Sequence, residues 1–258
     1  MPDAKTFVTN APAWVDLSSK DADASRDYYA KLFGWKVEIA GPDAGGYALA
    51  KLGGKDVAGI GPAQDPNAPT AWNLYIGTRD VDALAKKVEA AGGKVVAPPF
   101  DVLKSGRMAA FQDPSGAFIS AWQPNEMYGA EVMGKAGAYS WAELNARGFD
   151  KAKGFYQTVF GWTQKVSPMG EGQGDYTEFQ HDGQSIAGGM DMNPMVPAEV
   201  PSYWMVYFGV EDVDKAHQKA IDLGGKEMLG PQDFPGGRFS ILSDPQGAAF
   251  GLLNMKQS

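Results

Sequence analysis

The segment GRMAAFQDPSGAFISAW at Gly106–Trp122 returns near the end of the chain as GRFSILSDPQGAAFGLL at Gly237–Leu253. In both copies, two apolar runs flank an Asp-Pro-x-Gly sequence, which predicts two strands joined by a tight turn. A second copy of a whole strand–turn–strand unit indicates that the chain contains an internal repeat. The sequence therefore predicts a fold in which one structural unit is present twice.

The repeat extends over most of the chain. AWVDLSSKDADASRDYYAKLFGW at Ala13–Trp35 matches SWAELNARGFDKAKGFYQTVFGW at Ser140–Trp162. Likewise, WNLYIGTRDVDA at Trp72–Ala83 matches WMVYFGVEDVDK at Trp204–Lys215. These matches predict two related halves, residues 1–125 and 133–258, joined through the turn-rich segment Gln123–Ala136.

Within each half, the order of predicted elements is itself repeated. In the first half, a strand at Ala13–Leu17 precedes a helix at Ala22–Leu32 and three more strands. A second helix at Val81–Ala91 ends at a Gly-Gly pair within another such unit. The second half repeats this order, with helices near Asp150–Phe160 and Val213–Leu223. The sequence therefore predicts an α+β fold of four βαβββ modules.

Composition narrows the possible partners. Of the 258 residues, 44% are hydrophobic and 21% charged, which is typical of a globular protein. The net charge is −8, and no basic run interrupts the acidic balance, so we expect neither a nucleic-acid nor a membrane partner. No targeting signal or long apolar stretch is recognisable, and we predict a cytoplasmic protein.

The supply of metal-binding and nucleophilic side chains is small. Cysteine is absent, and histidine occurs only at His181 and His217. Disulfides, thiolate ligands and a cysteine nucleophile are excluded, and a histidine-rich metal site or a Ser-His-Asp triad is hard to build. We expect His181 in an exposed hairpin turn and His217 on the outer side of a helix.

The module order, a helix ending in YxxxFGW, a DVD helix start and the DPxGA turn together resemble the vicinal oxygen chelate superfamily. That superfamily includes glyoxalase I, bleomycin-resistance proteins, fosfomycin-resistance enzymes and extradiol dioxygenases. Within it, the sequence is most similar to tandem glyoxalase-like proteins of actinobacteria. The resemblance implies paired modules that form two glyoxalase-like domains, each a half-open barrel around a small ligand or metal. It does not imply one reaction.

The resemblance also implies where a metal would bind. In metal-using relatives the ligands lie on the opening strands of the two modules and on the last strand. The corresponding positions here are Trp14, Asn73 and Ser120 in the first half, and Trp141, Met205 and Gly251 in the second. Divalent sites need imidazoles and carboxylates. We therefore predict no metal and no other cofactor.

Two acidic residues lie on the same strands as positions that correspond to metal ligands in the metal-using relatives. Strand alternation places Asp16 on the face of Trp14, and places Glu143 and Asn145 on the face of Trp141. In one interpretation, the acids are general acid/base groups or hydrogen-bond acceptors for a polar ligand. In the other, each acid pairs with an arginine, Arg107 or Arg238, in a structural ion pair.

Two functions remain open at this point. The first is a metal-independent isomerase, cyclase or lyase acting on a small apolar or aromatic organic molecule, and the second is a ligand-sequestering protein of the bleomycin-resistance kind. A metal-dependent glyoxalase or dioxygenase agrees less well with the residues, and the protein is expected to be a monomer or homodimer. The predicted catalytic residues are Asp16 and Glu143, and the predicted ligand-binding residues are Trp14, Asn73, Arg107, Ser120, Trp141, Asn145, Met205 and Arg238.

Overall fold

Two eight-stranded sheets and four α-helices make up a computed structural model that describes residues 7–170 and 174–256. The elements of the first half are β1 (Pro12–Ser19), α1 (Ala22–Phe33), β2 (Lys36–Ile39), β3 (Ala48–Leu52), β4 (Lys55–Pro62), β5 (Ala71–Gly77), α2 (Val81–Ala90), β6 (Lys94–Val102), β7 (Gly106–Gln112) and β8 (Phe118–Pro124). Those of the second half are β9 (Tyr139–Ala146), α3 (Phe149–Phe160), β10 (Thr163–Gly170), β11 (Gly174–His181), β12 (Gln184–Asp191), β13 (Tyr203–Gly209), α4 (Val213–Asp222), β14 (Lys226–Phe234), β15 (Gly237–Ser243) and β16 (Ala249–Met255).

The two sheets have the same strand order. The first runs β2-β3-β4-β1-β5-β8-β7-β6, and the second runs β10-β11-β12-β9-β13-β16-β15-β14. In each sheet, two four-stranded modules meet where their opening strands pair antiparallel, β1 with β5 and β9 with β13. The predicted α+β fold of four βαβββ modules is confirmed, and the second sheet curls into a half-barrel.

The helices begin and end where the local sequence dictates. Asp21, Asp80 and Asp212 each accept a hydrogen bond from the backbone of the first turn, at 3.0, 2.8 and 3.0 Å respectively. Helix α1 ends at Gly34, whose φ of 72° lies in the left-handed region that glycine adopts readily. Among residues 7–170 and 174–256, none of the helices has the length and apolar character required to cross a membrane.

The two halves share one hydrophobic core, and the repeated motifs meet across it. Asp113 of the first DPxG turn accepts hydrogen bonds from its own loop, at Ala117 N, and from the Tyr156 hydroxyl of the other half at 2.9 Å. In the reciprocal contact, the Tyr29 hydroxyl lies beside Asp244 of the second DPxG turn. Burial is the main cause of the raised pKa of Tyr29, and the neighbouring Asp244 raises it further. Tyr29 also packs edge-on against Phe250.

Candidate functional site

Each sheet has one face covered by helices and one face free of them. On β1, Val15 and Leu17 belong to the core under the helices, whereas Trp14 and Asp16 lie on the opposite face. We call these helix-free surfaces the first inner face and the second inner face. On β9, which alternates in the same way, Glu143 lies on the second inner face.

Asp16 is surrounded by neutral hydrogen-bond donors at the centre of the first inner face. Its Oδ1 accepts from Asn73 Nδ2 at 2.9 Å, and its Oδ2 accepts from the Tyr75 and Tyr47 hydroxyls at 2.9 and 3.2 Å. The Tyr47 hydroxyl in turn accepts from Trp14 Nε1 at 3.0 Å. Burial raises the pKa of Asp16, and the three donors oppose that rise without reversing it.

Glu143 occupies the equivalent place on the second inner face. Its Oε1 accepts from Asn145 Nδ2 at 3.2 Å and from the Tyr207 hydroxyl at 3.3 Å. The Tyr176 hydroxyl, which accepts from Trp141 Nε1 at 2.9 Å, also faces the carboxyl. Burial raises the pKa of Glu143, and these donors lower it by a smaller amount. Both inner faces thus carry a tryptophan–tyrosine–carboxyl chain.

Two glycines make these chains possible. Gly59 on β4 lies against the Tyr47 hydroxyl, and Gly188 on β12 lies against the Tyr176 hydroxyl. A Cβ at either glycine would overlap the phenol oxygen, so a larger residue would push the tyrosine away from its acid. The glycines in VAGIGP and IAGGM therefore serve the close approach of a side chain.

The structure brings together most of the predicted site residues. Trp14, Asn73 and Ser120 lie around Asp16, with Tyr75 hydrogen-bonded to the acid and next to Ser120 in the pairing of β5 with β8. Met205 pairs with Glu143 across β13 and β9, and packs with Tyr207 and Trp141 on the second inner face. Whether these residues bind a ligand stays a prediction.

The two arginines lie away from both inner faces. The interpretation in which Arg107 or Arg238 pairs with Asp16 or Glu143 is therefore wrong. Arg107 donates to Asp82 at 2.9 Å and to Asp101 at 3.0 Å, and Arg238 makes the equivalent bonds to Asp214 and Asp233 at 2.8 and 3.0 Å. The reason is strand phase, because Arg107 has the same parity on β7 as the core residues Ala109 and Phe111 and so points toward the helix side. Neither arginine adjoins an inner face.

The tyrosines are the site residues that sequence reasoning missed. Trp72 and Trp204 lie in the core under the helices. The hydroxyl groups next to the two acids, however, belong to Tyr47, Tyr75, Tyr176 and Tyr207. Tyr203 lies nearby, and burial together with the neighbouring Glu143 raises its pKa. A signal was available for Tyr75, which stands two residues after Asn73 and therefore shares its face.

The residues present do not fit the divalent metal that some vicinal oxygen chelate proteins use. In each acid cluster a single carboxyl is already engaged by neutral donors, with phenols, amides and apolar side chains around it. Glu178, which shares the second inner face, is engaged by Lys165 and Ser185. Within residues 7–170 and 174–256, no group of three or more His, Asp or Glu is placed to hold an ion. His181 is partly buried at the end of β11, beside its turn.

His217 differs from its prediction. It is only 7% exposed, and its Nε2 lies 2.9 Å from Glu227 Oε2, between α4 and β14. The histidine lies away from the cavity, as expected, but is more deeply buried than the partly packed surface residue that was predicted, because Glu227 of β14 lies against it. The histidine is remote from both inner faces and adds nothing to either acid cluster.

Replacing Asp16 by Asn is expected to change how stability depends on pH. The raised pKa of Asp16 means that the folded state holds its proton at pH values where the unfolded chain, with an aspartate pKa of about 3.9, has lost it. Wild-type stability should therefore fall relative to Asp16→Asn as pH rises from about 4 through the folded-state pKa. Urea unfolding at a series of pH values measures this difference.

The exposed Asp43 provides the matched control, because Asp43→Asn changes the same group outside the core. That variant should track the wild type at all pH values. A wild-type stability that stays constant, or that rises, relative to Asp16→Asn as the pH increases would contradict the assigned burial cost.

Comparison with known proteins agrees with this architecture. The family model described as the glyoxalase/bleomycin resistance protein/dioxygenase superfamily matches the chain twice, over residues 11–120 and 138–252. The two matches correspond to the two sheets.

Similar proteins include both glyoxalase-like and biosynthetic ones. The putative glyoxylase CFP32 of Mycobacterium tuberculosis is 39% identical over 260 residues, covering 98% of each chain. The anthracycline biosynthesis protein DnrV of Streptomyces peucetius is 38% identical over 268 residues, covering 97% of this chain and 95% of that protein.

Solved structures share the fold. The Mn(II)-bound glyoxalase from Novosphingobium aromaticivorans superposes with a TM-score of 0.64 at 20% identity, covering 95% of this chain and 82% of that chain. The dioxygenase LapB from Pseudomonas sp. KL28 also has a TM-score of 0.64, at 15% identity, with coverages of 94% and 91%. The chain therefore belongs to the glyoxalase/bleomycin resistance protein/dioxygenase superfamily.

Proposed function

We propose that the protein is a metal-independent isomerase, cyclase or lyase that moves a proton on a flat organic molecule by means of an inner-face carboxyl. The observation that carries the proposal is the setting of Glu143 and Asp16. Each is an acid among neutral hydrogen-bond donors on an aromatic surface, and no Lys or Arg is among its hydrogen-bond partners. Such a carboxyl can accept a proton from a bound molecule and return it.

The surrounding groups would orient that carboxyl. On the second inner face, Asn145 and Tyr207 both donate to Oε1 of Glu143, which fixes the plane of the group. Burial raises its pKa toward the range in which a group can both accept and return a proton. The Tyr176 hydroxyl also faces the carboxyl and adds a third donor to its surroundings.

The wall residues support an aromatic ligand. Tyr207, which donates to Glu143, belongs to a cluster of buried and partly buried apolar and aromatic side chains that includes Trp141, Tyr203, Met205, Phe234 and Phe239. Large flat side chains of this kind stack on fused rings. Two relatives are named as anthracycline biosynthesis proteins, and anthracyclines are fused-ring quinones. We therefore propose a fused-ring carbonyl compound as the substrate class.

Quinizarin, a flat tricyclic dihydroxyquinone, is a suitable probe. We expect it to quench tryptophan fluorescence saturably, with the same affinity before and after the protein is stripped with a strong chelator. Turnover of a fused-ring carbonyl substrate should likewise survive chelation. Activity that is lost on chelation and restored by one divalent ion would contradict metal independence, and the absence of saturable binding would contradict the substrate class.

Sequestration without turnover is the second candidate. It is favoured by the Glu143 cluster, in which Asn145 and Tyr207 already donate to one carboxyl oxygen and hold the acid as a fixed acceptor. Mass spectrometry of a fused-ring carbonyl compound after prolonged incubation with the protein distinguishes the two functions. A compound that binds tightly and is recovered unchanged, with no solvent deuterium in its carbon skeleton, would favour sequestration.

A further inference from the structure

The two inner faces differ in what covers them. On the first, Met127, Ala130 and Met133 of the linker pack against Trp14 and the neighbouring aromatic residues. On the second, every apolar residue of the equivalent cluster comes from the strands of the second sheet, within the residues that the structure describes. We call the segment Met127–Met133 the linker strap.

Directional bonds hold the linker strap in place at both ends. Ala130 N donates to Ala13 O at 2.8 Å, on the strand that carries Trp14 and Asp16. Glu131 N donates to Asp56 O at 2.7 Å, and Glu131 Oε2 accepts from Asp56 N at 2.8 Å. Trp122, on the first inner face, donates from Nε1 to Met127 O at 2.8 Å. The strap is thus bonded to three strands of the first sheet.

Gly129 lets the strap approach this closely. Its φ of 112° lies in a region that other residues rarely adopt, and a Cβ there would overlap the carbonyl oxygen of Ala13. A side chain at this position would therefore force the strap away from β1. Gly129 is thus the residue that allows the linker strap to pack against β1.

The consequence appears in the exposure of the two equivalent tryptophans. Trp14 is 3% exposed beneath the strap, whereas Trp141 is only partly buried. The two walls also differ, because Phe234 and Phe239 line the second inner face where the first has Val102 and Met108. The open surface is thus the more aromatic one.

We infer that the chain has one ligand site, on the second inner face beside Glu143, and that the linker strap is the built-in occupant of the first inner face. The inference rests on the proposed function for its ligand class, a flat fused-ring carbonyl compound. Duplication has left one half to bind the ligand, while the linker fills the equivalent surface of the other half.

Hydrogen exchange of the wild-type protein with and without quinizarin tests the inference directly. We expect one quinizarin per chain, with slower exchange in β13 and β9 and unchanged exchange in β5 and β1. Two quinizarin molecules per chain, or protection of β5 and β1, would overturn it. This mapping needs no variant and is independent of whether Glu143 performs catalysis.

Gly129→Ala tests the strap itself. We expect faster exchange at the amides of Ala130 and Glu131 and a second quinizarin site, on the first inner face. Gly116→Ala is the control, since Gly116 has a comparable φ of 93° but open space around its Cβ position. It should leave both readouts at wild-type values.

The outcomes separate the strap from the proposed function. If quinizarin binds neither inner face of the wild-type protein, the proposed substrate class is wrong. The hydrogen-exchange rates of Gly129→Ala then test by themselves whether the linker strap covers the first inner face. Unchanged protection of Ala130 and Glu131 in that variant would overturn the strap as the occupant. Binding on the second inner face without turnover would leave the single site intact and contradict only the enzymatic proposal.

Discussion

Replacing Glu143 by Gln is expected to lower kcat by about two to four orders of magnitude while leaving ligand affinity within several-fold of wild type. The amide keeps the size of the side chain and can still accept from Asn145 and Tyr207, so the inner face should keep its shape. It cannot take up and return a proton, which is the step assigned to the carboxyl. Steady-state rates with a fused-ring carbonyl substrate, together with quinizarin titration, measure the two effects separately.

The matched control is Glu89→Gln, which makes the same change at an exposed position on α2. The wild-type pH–rate profile should contain an ionisation above the ordinary glutamate pKa of about 4.3, and that ionisation should be missing in Glu143→Gln. A kcat for Glu143→Gln that stays close to wild type would refute proton transfer by this residue. Equal losses in Glu143→Gln and Asp16→Asn would place chemistry on both inner faces and contradict the single site.

Replacing Phe208 by Ala is expected to lower the free energy of unfolding by about 3–5 kcal/mol. The side chain is fully buried and packs against three aromatic residues of the other half, with centroid distances of 5.0 Å to Phe33, 5.7 Å to Trp35 and 4.8 Å to Trp72. Deleting it leaves a cavity between the two sheets. Because the cavity lies in the shared core, both halves should lose stability together, in a single unfolding transition followed by circular dichroism and tryptophan fluorescence.

Phe118→Ala removes the same group from an exposed position on β8, where the side chain is 54% exposed, and should cost far less. Two separated transitions in Phe208→Ala, with one half unfolding at the wild-type denaturant concentration, would show that the halves are independent. A cost no greater than that of Phe118→Ala would contradict the assigned packing.

The fold could be predicted because its signals are local and are repeated. The DPxG turn, the FGW helix end and the DVD helix start each appear twice with preserved spacing, so one half supports the interpretation of the other. What the sequence does not encode locally is how the halves meet. The contact of Tyr156 with Asp113 joins residues far apart in the chain, and no periodicity within either half points to it.

The candidate site was predictable only in part. Alternation on β1 and β9 correctly joined Asp16 to Trp14 and Glu143 to Trp141, because face is fixed by parity along a strand. Arg107 was misplaced because that same parity was not applied to β7, where it would have put the arginine on the helix side. Tyr47 and Tyr176 were missed because they reach their acids across a neighbouring strand, and that reach depends on the glycines opposite them.

The reciprocal contact between Tyr29 and Asp244 and between Tyr156 and Asp113 bears on the origin of the chain. Tyr29 and Asp113 are both in the first half. In the repeat, Tyr29 is the counterpart of Tyr156 and Asp113 is the counterpart of Asp244. A single half therefore contains both members of the contact, and two identical copies related by a two-fold axis could form the same pair of contacts. The tandem chain has the arrangement that fusion of such an ancestral homodimer would leave, with the linker as the segment that the fusion added.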